Sequence, residues 1–162
     1  MNTLSGQPAD NQQLPEQELN LFVFRSGSET YAADPELVQE VVAAGEPTAI
    51  PFVPDWVEGV VSVRGKIVPV IDLVGFFGLE STTTYNRKRL ILFAVDGVEF
   101  GLWSEQVLGI KSYPAGLSET PLSTLPATLQ ECLQSQLRHQ EVLVYILDMN
   151  KLLEKSRQQV AS

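Results

Sequence analysis

The chain has 162 residues, 44% hydrophobic and 19% charged, with a net charge of −9, which suits one soluble domain with a real core or two small lobes sharing one. The carboxylate surplus argues against nonspecific binding to nucleic acid or anionic membranes, which needs an excess of Lys and Arg, and no apolar run approaches the ~20 residues of a membrane helix. One cysteine, Cys132, excludes an internal disulfide, and with a single histidine, His139, it leaves no ligand set for a classical zinc site.

Residues 1–18 are rich in Gln, Asn, Pro and Ser and read as a flexible tail. They lack the basic start and apolar segment of a secretory signal, so a cytoplasmic location is expected. The folded part is expected over residues 19–155, with a C-terminal tail at 156–162. Residues 19–24 (LNLFVF) predict a first strand, Ser26-Gly27-Ser28 a turn, and residues 30–33 its return. Asp34-Pro35-Glu36 is a helix start: Asp can cap, Pro suits the first turn, and Glu meets the positive end of the dipole. The following LVQEVV fits both a helical stripe and a strand, predicting a turn or two of helix that passes into a strand.

A connection with Pro47, Pro51 and Pro54 leads to two strands, over residues 56–63 and 67–73. Gly65 marks the reversal between them. By residue parity Val61, Val63, Ile67 and Ile71 share one face and Val60, Val68 and Val70 the other, so the pair should be covered on both sides. Pro69 cannot donate to a ladder, which predicts an edge or an irregularity there. After a polar link (residues 82–86), RLILFAV at 89–95, the turn Asp96-Gly97 and residues 98–103 form another hairpin, continued by residues 105–113.

This second pattern repeats the first. Residues 22–41 line up with 93–110, placing Tyr31 on Phe100, Val38 on Val107 and Val41 on Ile110, and VIDLVGFFG (70–78) lines up with ILDMNKLLE (146–154). A duplication at about seventy residues predicts two similar β lobes. Leu125, Leu129, Leu133 and Leu137 are spaced like a helix. The repeat instead favours strands near 133–138 and 142–148, with a short helix before Cys132 and His139-Gln140-Glu141 at the turn equivalent to Arg64-Gly65.

Catalysis finds little support. Asp72 and Asp148 could act in acid–base chemistry, but each ends a strand just before a helical pattern, where a cap is expected, and a catalytic site is not normally duplicated. Cys132 and His139 lack a nucleophile motif, and no phosphate-cradling or metal-ligating spacing is present. No cofactor is expected. Trp56, Phe76, Phe77 and Trp103 read as core or inter-lobe packing, with interface use open for Trp56. Arg64 is either a solvated turn residue or a guanidinium fork offered to a partner's carboxylate. The equivalent turn in the second repeat has no arginine, which favours the contact.

The segment FVPDWVEGVVSVRGKIVPVIDL (52–73) resembles the signature of the CheW family of chemotaxis coupling proteins, and YAADPELVQEVV (31–42) and VLVYILDMNKLL (142–153) resemble its flanking elements. The resemblance implies a mainly β fold of two SH3-like five-stranded barrels with short helices. It also implies a non-catalytic adaptor that docks on the regulatory domain of a CheA-type histidine kinase and on the cytoplasmic tips of chemoreceptors, without nucleic acid or membrane insertion. By match to the family pattern, Arg64, Val38 and Glu40 are candidates for receptor and array contacts, and Glu58 and Gly59 for the kinase side. The alternative is a CheW-like binding module that regulates or competes within a twitching or phototaxis pathway. An enzyme would need a cleft joining Asp72 or Asp148 to Cys132 and His139.

Overall fold

Alternating apolar residues closed by tight turns set the frame. The computed structural model describes residues 17–43, 45–80 and 89–161; the expected tail up to residue 16 and the polar link at 82–86 lie outside the described residues. In chain order the strands are β1 (Glu18–Ser26), β2 (Glu29–Ala33), β3 (Val38–Val42), β4 (Val57–Val63), β5 (Lys66–Ile71), β6 (Arg89–Val95), β7 (Val98–Ser104), β8 (Gln106–Pro114), β9 (Ser118–Glu119), β10 (Leu133–His139) and β11 (Val142–Leu147). Three α-helices accompany them among the described residues: α1 (Leu73–Phe76), α2 (Ala127–Glu131) and α3 (Met149–Ala161). The expected helical turn before β3 is a 3-10 turn at Pro35–Leu37, where the Asp34 carboxylate accepts from the Glu36 N–H at 3.0 Å. The expected C-terminal tail is corrected: α3 runs on to Ala161, because Leu152, Leu153 and Ser156 are buried on one helical face.

Two-residue turns join β4–β5, β6–β7 and β10–β11, each with both residues left-handed: Arg64 and Gly65 at φ 51° and 82°, Asp96 and Gly97 at 54° and 80°, Gln140 and Glu141 at 51° and 66°. This backbone matches the twist of the flanking strands. The third turn takes it without glycine and excludes His139, which pairs with Val142.

The strands form a six-stranded sheet, β8-β1-β2-β11-β10-β9, and a five-stranded sheet, β3-β6-β7-β5-β4. Each sheet is therefore built from both sequence repeats. β3 leaves the first repeat to pair with β6, while β8 leaves the second to pair with β1. The pairings correspond closely. Val38 faces Phe93 as Val107 faces Phe24, and both pairings slip by one residue beside those contacts. The β4–β5 and β10–β11 ladders slip at the same place, and Asp72 N–H donates to the Trp56 carbonyl as Asp148 N–H does to that of Cys132 (2.9 and 2.7 Å). The repeat thus aligns Phe24, not Phe22, with Phe93, since Ser26 faces Glu29 as Val95 faces Val98. Tyr31 still matches Phe100.

Facing residues across a two-residue turn also correct the assignment by parity. Val61 lies opposite Val68 and Val63 opposite Lys66, so Val61, Val68 and Val70 share one small core with Leu90, Leu92 and Trp103. Ile67, Pro69 and Ile71 alternate onto the other face, which is incompletely covered: Ile67 is 67% exposed. β5 is an inner strand, but β7 pairs with it only at Val70 and Ile71, beyond Pro69, so the missing N–H disturbs no ladder bond to β7.

Between the sheets lies the main core, with Phe24, Tyr31, Phe77, Phe93 and Phe100 almost fully buried and ring centroids 5.8–6.4 Å apart in successive contacts from Phe100 through Phe93 and Phe24 to Tyr31. Trp56 packs edge-on against Phe76 at 4.8 Å. The Tyr31 hydroxyl is buried with no hydrogen-bond partner among the described residues, and burial raises its pKa well above the ordinary phenol value. Its counterpart Phe100 has no hydroxyl. Tyr31→Phe is therefore expected to raise stability by about 1 kcal/mol, read as a higher urea midpoint; a loss of stability would show that the hydroxyl is satisfied in solution.

Candidate functional site

The β4–β5 turn projects Arg64 from the edge of the five-stranded sheet, with its side chain 74% exposed. The arginine is not free. One guanidinium N–H (Nη1) donates to Oε2 of Glu40, tying the hairpin tip to β3 at the opposite edge of the same sheet. Glu40 is 26% exposed and reaches this position because the slip after Val38 places it opposite Leu92. Two residues on, the Lys66 ammonium lies 3.4 Å from both carboxylate oxygens of Glu99 on β7. These groups surround a notch of about 130 Å³ whose floor is Val63, Val68 and Leu92.

An exposed pair such as Arg64–Glu40 contributes about 0–1 kcal/mol to folding. Glu40 engages one of the five guanidinium donors, which leaves the rest of the fork able to meet a second carboxylate. Two of the candidate residues are thus brought together. Val38 is not in the notch; half-buried, it packs against the main core. Glu58 and Gly59 lie toward the other end of β4, Glu58 half-buried and Gly59 buried. Gly59 has φ 137°, and a Cβ there would come within 2.2 Å of the Thr48 carbonyl oxygen, so the residue is required for close backbone approach and presents no side chain. Lys66 and Glu99 escaped the sequence reading because only the parallel β5–β7 pairing brings them together.

At the corresponding end of the six-stranded sheet, Gly109 and Gln140 replace Glu40 and Arg64, and Thr30 and Val142 replace Glu99 and Lys66. Neither ion pair can form there, and the notch, lined by Thr30, Gln140 and Val142 together with Lys111, Tyr113 and His139, widens to about 490 Å³. His139 stacks edge-on against Tyr113 at 5.4 Å. The two ends of the molecule share a backbone and differ in charge.

The remaining candidates are structural. Asp72 accepts from the N–H groups of Val74 and Gly75 at 3.3 and 3.4 Å, and Asp148 from that of Lys151 at 3.1 Å; both cap helices, as the repeat implied. Asp148→Ala is expected to destabilise by about 1 kcal/mol, seen as a lower urea midpoint; a change within error would remove the cap's role. Cys132 is buried, and burial, aided by the Glu131 carboxylate, pushes its thiol pKa up to about 12, so it is protonated and unsuited to nucleophilic attack. Among the described residues no group of three or more His, Cys, Asp or Glu could hold a metal ion, and no helix is long and apolar enough to cross a membrane.

A family model described as a CheW-like domain matches residues 20–157. The chain is 34% identical over 107 residues to Protein PilI of Pseudomonas aeruginosa, a match covering 66% of this chain and 60% of PilI. It is 30% identical over 149 residues to Protein FrzA of Myxococcus xanthus, covering 91% and 92% of the two chains. The crystal structure of the scaffolding protein TtCheW from Thermoanaerobacter tengcongensis superposes with a TM-score of 0.70 at 27% identity, over 81% of this chain and 89% of that one. With its fold, its paired hairpins and almost all of its described residues inside the matched region, the chain belongs to the CheW-like family.

Proposed function

We propose that the protein is a non-catalytic cytoplasmic adaptor that couples chemoreceptor-type sensors to the regulatory domain of a CheA-type histidine kinase. The observation that carries this reading is the asymmetry of the two sheet ends. The same hairpin occurs twice, and the β4–β5 copy holds an exposed guanidinium beside a carboxylate where the other holds Gln140 and Gly109. In this reading Arg64 and Glu40 contact the receptor or a neighbouring array component, Val38 sets the apolar margin of that contact, and Glu58 contributes to the kinase side. Gly59 supports the kinase side indirectly, by holding β4 against the preceding loop.

The test is direct binding. Purified protein should co-elute with the isolated regulatory domain of a cognate CheA-type kinase, and should raise kinase activity when receptor tips are supplied in an ordered assembly. Failure to bind either component would overturn the adaptor reading. A second reading is a CheW-like binding module that regulates or competes within a twitching or phototaxis pathway, and the family match over residues 20–157 supports it equally. Recovery of the protein with a motility sensor and kinase of that kind, from the native cell, would select it.

A further inference from the structure

Charged residues stand where the small core of Val61, Val68, Val70, Leu90, Leu92 and Trp103 should close. Strand alternation places Lys66 on the face of Val68 and Val70, Glu99 on that of Trp103, and Glu40 on that of Val42. Apolar residues at these positions would finish the core. Instead its floor, the buried Val68 and Leu92 with half-buried Val63, lies open to the notch of about 130 Å³. The hairpin fold does not require the Lys66–Glu99 pair, since Val142 and Thr30 hold those positions in the other sheet. Nor does it gain much from the pair, because an exposed ion pair adds little to folding.

Both ion pairs are oriented alike. The side chains of Arg64 and Lys66 are 74% and 69% exposed, those of Glu40 and Glu99 only 26% and 34%, so the notch turns its cations outward and recesses its carboxylates. The Lys66 ammonium stands 3.4 Å from both oxygens of Glu99, beyond the roughly 2.7–2.9 Å of a full charge-assisted bond, and can turn to a closer acceptor. The notch approaches the roughly 150 Å³ of a cavity that takes one benzene, so its floor admits one aliphatic side chain and no indole. Arg64 and Lys66 are two residues apart, which holds their Cα atoms within about 7 Å. That matches the roughly 5–6 Å between residues four apart on a helix. The net charge of −9 repels an acidic helix at a distance, so selection acts at contact.

We propose, resting on the adaptor reading above, that this notch reads an acidic-aliphatic motif on a helix of the sensor partner. Two carboxylates four residues apart meet Arg64 and Lys66, and an aliphatic residue between them enters over Val68 and Leu92. Glu99 is a positioning residue that holds Lys66 at the rim. The probe is an alanine-rich helical peptide of about twenty residues carrying Glu-x-x-Leu-Glu, titrated against the full chain by fluorescence anisotropy. Binding below millimolar is expected, weakened about tenfold by Gln for either glutamate and about tenfold by Ala for the leucine. Lys66→Met keeps the aliphatic stem and removes the charge, and there only one of the two glutamates should still matter. In Lys66→Glu, a peptide with lysine at the other position should regain the lost affinity. No binding up to millimolar peptide, equal binding of the Glu and Gln peptides by the parent, or a Lys66→Met variant that still responds to both glutamates overturns the proposal. The adaptor reading is judged separately, by co-elution of the kinase regulatory domain, which Lys66→Met should leave unchanged.

Discussion

Gly59→Ala is expected to cost about 3–5 kcal/mol, from two backbone hydrogen bonds at about 1 kcal/mol each and a strained φ at about 1–3 kcal/mol. The added Cβ would sit 2.2 Å from the Thr48 carbonyl oxygen and 2.7 Å from its carbon, and the φ of 137° is one that side chains rarely adopt. Neither neighbour can swing aside, because both belong to backbone that bridges Thr48 to Val60. The loop must detach from β4, or β4 must lose its slip between Val57 and Gly59. Against a typical stability of roughly 5–15 kcal/mol this is a large fraction. Urea unfolding measures it directly, and a midpoint within error of the parent would show that the close approach is absent in solution. Any loss of kinase binding in such a variant should therefore scale with the unfolded fraction.

Arg64→Glu is expected to do the reverse, abolishing coupling while leaving the fold nearly intact. The side chain is 74% exposed, and a carboxylate beside Glu40 adds a repulsion of at most about 1 kcal/mol, screened by salt. Receptor-dependent kinase activation should fall at least about tenfold, the effect of losing a charge-assisted hydrogen bond worth roughly 1.5 kcal/mol, with an unfolding midpoint close to the parent's. The swap Glu40→Arg with Arg64→Glu separates two explanations. If the pair only pins the hairpin tip to β3, the swap restores coupling; if the guanidinium meets a partner, restored stability comes with coupling still lost. Parent-level coupling in the single variant would remove Arg64 from the site.

Strand positions were legible wherever the chemistry is local. Asp96-Gly97 announces its own turn, and Asp72 and Asp148 read as caps because each stands between an apolar strand and a helical pattern. The repeat resolved the leucine-spaced segment correctly, dividing it into α2, with Leu129 buried, and β10. What stayed hidden depends on pairing between distant segments. Nothing local tells β3 to join β6. The partner of Arg64 was hidden for the same reason: Glu40 reaches it only after a slip in the β3–β6 ladder. The face of Ile67 is a different case: the two-residue turn sets Val63 opposite Lys66 and Ser62 opposite Ile67, and residue parity counted straight through that turn puts Ile67 on the face of Val61. Gly59 matched a motif, but its reason for being glycine is a carbonyl eleven positions earlier, visible only in three dimensions.

The exchange of β3 and β8 between the repeats also bears on how the chain is made. The strands of the five-stranded sheet all fall between Val38 and Ser104, whereas β1 and β2 need β8 and β11, synthesised last. On the ribosome, one sheet can close while the earliest hairpin waits with Leu21, Phe22, Val23 and Phe24 unsheltered. That interval is the vulnerable stage of biosynthesis, when an unpaired apolar edge invites misassembly or chaperone capture. Nascent chains stalled before β11 should therefore carry one ordered sheet and one protease-sensitive hairpin.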